Sequence, residues 1–264
     1  MATTTIDGRT INYTDTGAGA PPILLVHGFG GNLHHFDAQA PALAANHRVV
    51  AVDRAGHGGS DTPAGELTVD LYASDLAALC DDLGLDQVVV VQHSFDKPSI
   101  ELAARHPELV RGLVIIDGPT VPSAEFVAAG LALADALESD AWQDGTRAFA
   151  ERWVFPAGVP EAAREAVMET VWPIGQRVLA SSWRSFITHD ARPALRSLTC
   201  PVLYVAGNFP CDLDALAADV AQLQVAELRG RGHMLMFTAP AELTDLIAAF
   251  AASVLVASEP RRRG

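Results

Sequence analysis

Ser94 stands just beyond a run of four valines, in Val88-Val89-Val90-Val91-Gln92-His93-Ser94-Phe95-Asp96. An apolar strand that stops at a serine and turns into a helix exposes the hydroxyl as a nucleophile. The helix is expected over residues 99–106, up to Pro107. A serine hydroxyl is a weak nucleophile at neutral pH and needs a base to take its proton. Gly230-Arg231-Gly232-His233-Met234 offers one, because an imidazole on a loop between glycines can swing over a site and move a proton. His27-Gly28-Phe29-Gly30-Gly31 follows the apolar run 23–26 and leaves backbone N–H groups free to face a developing negative charge. The other reading of those glycines is a tight strand-to-helix turn with no ligand. The glycine-rich stretch 53–60 reads as a scaffold loop held by the charges of Asp53 and Arg54.

The elements that must position these residues are legible as a rhythm. Apolar runs without alternation recur at residues 23–26, 49–52, 88–91, 113–116 and 202–206, the pattern of strands covered on both faces. Helical patterns lie between them, such as 67–83 ended by Gly84. Residues 5–7 and 9–13 flank Asp7-Gly8 and predict a hairpin. Residues 225–228 read as a last strand and 240–254 as a closing amphipathic helix. This alternation predicts an α/β chain with a mostly parallel, doubly wound sheet. From Pro119 to Asp190 no strand pattern appears, only helical stretches broken by Pro156, Pro160 and Pro173. All four tryptophans fall there. We expect a helical lid over 119–190, inserted into a core made of 1–118 and 191–264.

Composition bounds the function classes. With 264 residues the chain can bury one sizeable α/β core and carry an insertion. Its net charge of −14 leaves no basic face for phosphates, so no nucleic-acid partner is expected. Arg261-Arg262-Arg263 reads as a frayed, solvated tail. Cys80, Cys200 and Cys211 are odd in number and lack CxxC spacing, which suits free thiols in a reducing compartment. The first residues show no basic and apolar leader, and no apolar run approaches membrane-spanning length. A cytoplasmic enzyme without a membrane partner is expected. No His/Cys cluster or carboxylate pair has metal-ligand spacing, so no metal is expected. The sequence leaves oligomeric state open.

Together, HGFGG, DRAGHGGS, the His-Ser pair after a valine strand, ELAARHPELVRGLVIID, and GRGHM ahead of Pro240 resemble the α/β-hydrolase superfamily. The resemblance covers nearly the whole chain, least so through the lid. It implies the α/β-hydrolase fold and the chain order Ser…Asp…His, into which Ser94, an acid and His233 fit. It also implies an oxyanion hole made by the backbone amides of Phe29 and Phe95. Two departures stand out. Members usually read G-x-S-x-G-G, because the turn at the serine leaves little room two residues to either side. Here those places hold Gln92 and Asp96, followed by Lys97-Pro98, and the interval from Ser94 to Pro107 is one residue short. Counting back from Pro107 puts His93 at the nucleophile position, whereas the local His-Ser pairing puts Ser94 there.

The acid is the second departure. Most relatives carry it three residues after the glycine ending PVLYVAG, a place held here by Pro210. A smaller set takes it from the end of the preceding strand, here Asp117, at the carboxyl edge where ligands gather. Asp117 could instead cap the turn before Gly118-Pro119. Asp212 is the alternative acid, and could equally cap a helix. Asp117 is the preferred assignment.

The substrate pocket is expected to take its lining from His34, Trp142, Trp153, Trp183 and Met234, with His35, Phe29, Phe95 and Phe126 nearby. The leading expectation is a cofactor-free serine hydrolase of a small apolar or aromatic ester or lactone. Carbon–carbon bond hydrolysis of a diketone would use the same parts. Some relatives imply an alternative, in which a His–Asp pair deprotonates a heteroaromatic substrate that then reacts with oxygen without a cofactor. A second alternative is a non-catalytic relative that binds a small molecule.

Overall fold

The computed structural model describes residues 1–155 and 159–256. Pro156 and Arg261–Arg263 lie outside the described residues. A hairpin opens the chain: β1 (Ala2–Ile6) and β2 (Arg9–Thr16) join through Asp7 and Gly8, whose φ angles are 48° and 74°. Positive φ at both positions is what a two-residue hairpin turn requires. Then follow β3 (Ile23–Val26), α1 (Gln39–Leu43), β4 (Val49–Val52), α2 (Val69–Asp82), β5 (Val88–His93) and α3 (Lys97–Arg105). After β6 (Val110–Ile116) come α4 (Ala124–Leu137), α5 (Trp142–Trp153), α6 (Glu161–Val171), α7 (Gln176–Thr188) and α8 (Arg192–Ser197). The chain closes with β7 (Val202–Ala206), α9 (Leu213–Asp219), β8 (Leu223–Glu227), α10 (Leu235–Thr238) and α11 (Pro240–Val256).

The strands form one eight-stranded sheet in the order β1-β2-β4-β3-β5-β6-β7-β8. β2 pairs antiparallel with β1 and β4, and every other neighbouring pair is parallel. From β3 the chain steps to β4 on one side, then crosses to β5 on the other. Ligands of open α/β sheets gather at the carboxyl ends of strands at such a switch point. The HGFGG loop leaves β3 there and Ser94 follows β5.

Unbroken apolar strands make sense because both faces are covered. Leu24, Val26, Val50, Val88 and Val90 pack with Tyr72, Leu76 and Leu79 of α2. Their neighbours Ile23, Leu25, Val49, Val89 and Val91 pack with Leu243, Ile247 and Phe250 of α11. Thr68 starts α2 by accepting from the Leu71 amide, and Ser123 starts α4 through Phe126. Helix α3 begins at Lys97, two residues before the expected start, because Pro98 fits a first helical turn. Strand β8 begins two residues before its apolar signal; it is a largely exposed edge strand, where burial no longer marks the ends. Between β6 and β7, the segment 119–190 carries helices α4–α7 and no strand among the described residues. No helix among those residues is long and apolar enough to cross a membrane.

Candidate active site

Ser94, not His93, takes the turn. β5 ends at His93, and Ser94 adopts φ +58° while its amide donates to Ile116 O at 2.9 Å. A left-handed serine costs about 1–3 kcal/mol and persists only where its surroundings hold it. Gly28 provides room: a Cβ there would lie 2.7 Å from His93 Nδ1 and 3.1 Å from Ser94 Cβ.

The two bulky elbow residues are accommodated by side-chain bonding and by a second glycine. Gln92 Nε2 donates to His27 O at 2.9 Å, and Ser99 Oγ donates to Gln92 Oε1 at 2.7 Å. Gln92 thereby ties β3, β5 and α3 together beneath the turn. Asp96 is fully buried, and its Oδ2 accepts from Thr120 Oγ1 while Oδ1 finds no hydrogen-bond partner among the described residues. A Cβ on Gly118 would sit 2.5 Å from Asp96 Oδ2, so glycine is needed there. Burial raises the Asp96 carboxyl to about 6. Lys97, also buried, donates from Nζ to the Phe186 and His189 carbonyls at the end of α7. That clamps the elbow helix to the helical segment above the sheet.

Asp117 follows β6 with φ +47° and is wholly buried. Its carboxylate accepts from the amides of Gly207, Asn208 and Phe209, at 2.7 to 3.1 Å. The loop after β7, which carries no acid of its own at Pro210, thus turns its N–H groups onto Asp117. Asp117 Oδ2 also lies 2.8 Å from His233 Nδ1. The bond directs the Nδ1 proton to the carboxylate and leaves Nε2 as the basic nitrogen. Phe209 lies face to face on the His233 ring, and His93 Nε2 is 3.2 Å from His233 O. Asp212 stands apart: it is the N-cap of α9, accepting from Ala215 N at 3.0 Å.

Ser94 and His233 line one pocket with Phe29, Gly30, His35, His93, Leu133, Phe149, Val171, Trp183, Phe209 and Met234. The Phe29 N–H has no partner among the described residues, while the Phe95 N–H turns back to His93 O at 2.6 Å. Across residues 21–155 the chain matches the family model of the α/β-hydrolase fold. The chain belongs to the α/β-hydrolase fold family. It is an enzyme of that family, an α/β-fold hydrolase. It is 33% identical over 215 residues to a 2-(acetamidomethylene)succinate hydrolase of Mesorhizobium japonicum, covering 75% of this chain and 74% of that protein. It is 32% identical over 159 residues to a 2-heptyl-3-hydroxy-4-quinolone dioxygenase of Rhodococcus erythropolis, covering 57% of each. Among solved structures, a thermophilic esterase of Thermogutta terrifontis superposes with a TM-score of 0.81 at 24% identity, over 96% of this chain and 97% of that one.

In this hydrolase the expected pocket residues separate into two groups. Trp183 and Met234 line the cavity, as does Phe29. Trp183 donates from Nε1 to Gly130 O at 2.7 Å and packs on Phe29, with ring centroids 4.8 Å apart. His34 is exposed and pairs with Asp37, whereas its neighbour His35 faces the cavity. The cause is local: Asn32 caps the short turn Leu33–Phe36, which rotates one histidine out and the next one in. Trp142 packs edge-on against Trp172, and Trp153 against Phe126, both away from the cavity lining. Phe95 is buried behind the elbow against Phe186, and Phe126 lies beneath Phe209. Sequence reasoning missed His93, Phe149 and Phe209 as lining residues. Only the adjacency of His93 to Ser94 pointed to any of them.

Proposed function

We propose that this chain is a cofactor-free serine hydrolase of a small apolar or aromatic ester or lactone, with Ser94, His233 and Asp117 as its triad. The observation that carries the reading is the left-handed turn at Ser94, opening into the same pocket as a His233 ring bonded to Asp117. In this mechanism Ser94 Oγ attacks the substrate carbonyl while His233 Nε2 takes its proton. Asp117 stabilises the resulting imidazolium through Nδ1–H. The Phe29 amide receives the oxyanion, joined by the Phe95 amide as that N–H leaves His93 O, His233 returns the proton to the leaving alcohol, and water releases the acyl group by the same route. The aromatic lining favours an apolar acyl or alcohol portion, and the helices of 119–190 serve as the lid over it. Carbon–carbon bond hydrolysis of a diketone needs the same groups.

One observation favours a second reading. Asp117, the carboxylate bonded to His233, follows β6 instead of β7, and some members of the family resembled use such a His–Asp pair for cofactor-free oxygenation of heteroaromatic rings. The similarity to the quinolone dioxygenase supports the same direction. There His233 and Asp117 remove a proton from the substrate and Ser94 only positions it.

Intact mass after exposure to a fluorophosphonate, on the wild type and on Ser94→Ala, separates the readings. The serine hydrolase gives one adduct that disappears in Ser94→Ala. A folded wild type with no adduct sinks that mechanism, and oxygen uptake with a 3-hydroxy-4-quinolone becomes the next measurement.

A further inference from the structure

Arg54 is a buried cation that no anion matches. It is 3% exposed, and among the described residues no carboxylate pairs with it. Its Nε and Nη1 are buried without hydrogen-bond partners among the described residues. The neighbouring carboxylate of Asp53 is turned away, accepting from Leu33 N, Gly59 N and Asn12 Nδ2. The guanidinium lies over the rings of Phe95 and Tyr72, at 4.4 and 4.7 Å from their centroids. Cation–π contact offsets only part of the cost of burying a charge. A fold that retains such a charge beside a catalytic cavity has it available for negative charge that arises during the reaction.

What Arg54 holds points to where that charge arises. Its Nη2 donates to Gly28 O at 2.8 Å. Its backbone N–H donates to His27 Nε2 at 3.1 Å, which leaves the His27 proton on Nδ1, 2.8 Å from the same Gly28 O. The Gly31 amide reaches that oxygen too, at 3.3 Å. Three donors therefore converge on the carbonyl of the Gly28–Phe29 peptide, two of them set by Arg54. The other end of this peptide is the Phe29 N–H, which has no partner among the described residues. Hydrogen bonds to a carbonyl polarise its peptide and strengthen the N–H as a donor. They also fix the plane of the peptide, and so the direction of the N–H.

We propose that Arg54 is a positioning residue of the oxyanion hole, acting on the Phe29 amide through the Gly28–Phe29 peptide and lending its unmatched positive charge to the tetrahedral intermediate. The proposal rests on Ser94 being the nucleophile. It concerns a residue that touches neither the substrate nor the triad.

The test is the inactivation of the full chain by an alkyl fluorophosphonate, resolved into reversible binding (Ki) and phosphonylation (kinact). In that step the Ser94 oxygen bonds to phosphorus as its proton passes to His233 Nε2, the phosphoryl oxygen takes on negative charge, and fluoride leaves. Arg54→Gln and Arg54→Met are expected to lower kinact about tenfold or more, since loss of one oxyanion donor costs more still. Ki is expected to stay within about twofold, because the reagent's alkyl chain binds the aromatic lining. Arg54→Lys, which keeps the charge, is expected to recover most of kinact. A merely structural role predicts otherwise: Ki rises with the loss of kinact, and lysine is no better than methionine. That pattern, or a kinact in Arg54→Gln within about twofold of wild type, overturns the proposal. A wild type that is never labelled at Ser94 overturns the serine-hydrolase reading and the role of Arg54 with it.

Discussion

The ring of Phe209 lies on the ring of His233 with centroids 3.6 Å apart and planes 9° from parallel. Phe209 N–H meanwhile donates to Asp117, the carboxylate that holds His233 Nδ1. One residue thus fixes both the plane of the imidazole and the acid that orients it. A base held in place needs no reorganisation when the proton moves, and small misplacements of reacting groups cost large factors in rate.

Phe209→Leu keeps the backbone donor and much of the volume but removes the flat face. We expect kcat on an activated ester to fall about tenfold. The accompanying loss of stability should stay under about 1.5 kcal/mol. Steady-state kinetics beside thermal unfolding checks this. An unchanged kcat would mean that the Asp117 bond alone suffices to hold the ring.

Asp117 and Asp212 are separated by their partners. Asp117→Asn presents an amide to His233 Nδ1 and favours the wrong tautomer. The expected loss in kcat is about 10³- to 10⁴-fold, with the fold intact. Asp212→Ala removes only a helix cap, costing about 1 kcal/mol and leaving kcat unchanged. Parallel assays of the two variants decide which carboxylate serves His233; a large loss in Asp212→Ala would reverse the assignment.

How far the sequence carried the fold follows from what each residue was asked to signal. Runs such as Ile23–Val26 and Val202–Ala206 are apolar on both faces because both faces are covered, so their positions were legible. The same holds for Ser94, since a strand ending in a serine dictates a turn whatever lies around it. Side-chain direction on helices was not legible. Trp142, Trp153 and Trp183 all sit on helices of one segment, and only packing on Phe29 and the bond to Gly130 bring Trp183 inward. Phe209 carries no sequence signal, because the loop after β7 lacks an acid of its own and nothing in Gly207-Asn208-Phe209 marks a ring that stacks on a distant histidine. Its three amides, aimed at Asp117, are what that loop provides instead. Arg54 read as a loop charge because nothing in its neighbours marks the absence of a counter-ion.

The buried Asp96 gives a stability signature in pH. Burial raises its carboxyl from an ordinary 3.8 to about 6, and Thr120 supplies its one side-chain bond. Lys97, lowered to about 8 by burial, and the raised Tyr204 and Cys211 groups face the same region. Because the folded chain holds the Asp96 proton more tightly than the unfolded chain, this group stabilises the fold most below about pH 4. That contribution fades as pH rises through 6. Above pH 6 the ionised carboxylate sits in a poor environment, disfavoured by up to about 3 kcal/mol relative to the acid state. Asp96→Asn keeps an acceptor for Thr120 and cannot ionise. Its unfolding temperature is expected to exceed that of the wild type at pH 7 to 7.5, where Lys97 remains largely protonated. The advantage should shrink steadily towards pH 4. Thermal unfolding of both proteins from pH 4 to 7.5 gives the comparison. A difference that stays constant across that range would show that Asp96 is already ionised at pH 4, stabilised by Lys97 in spite of its burial.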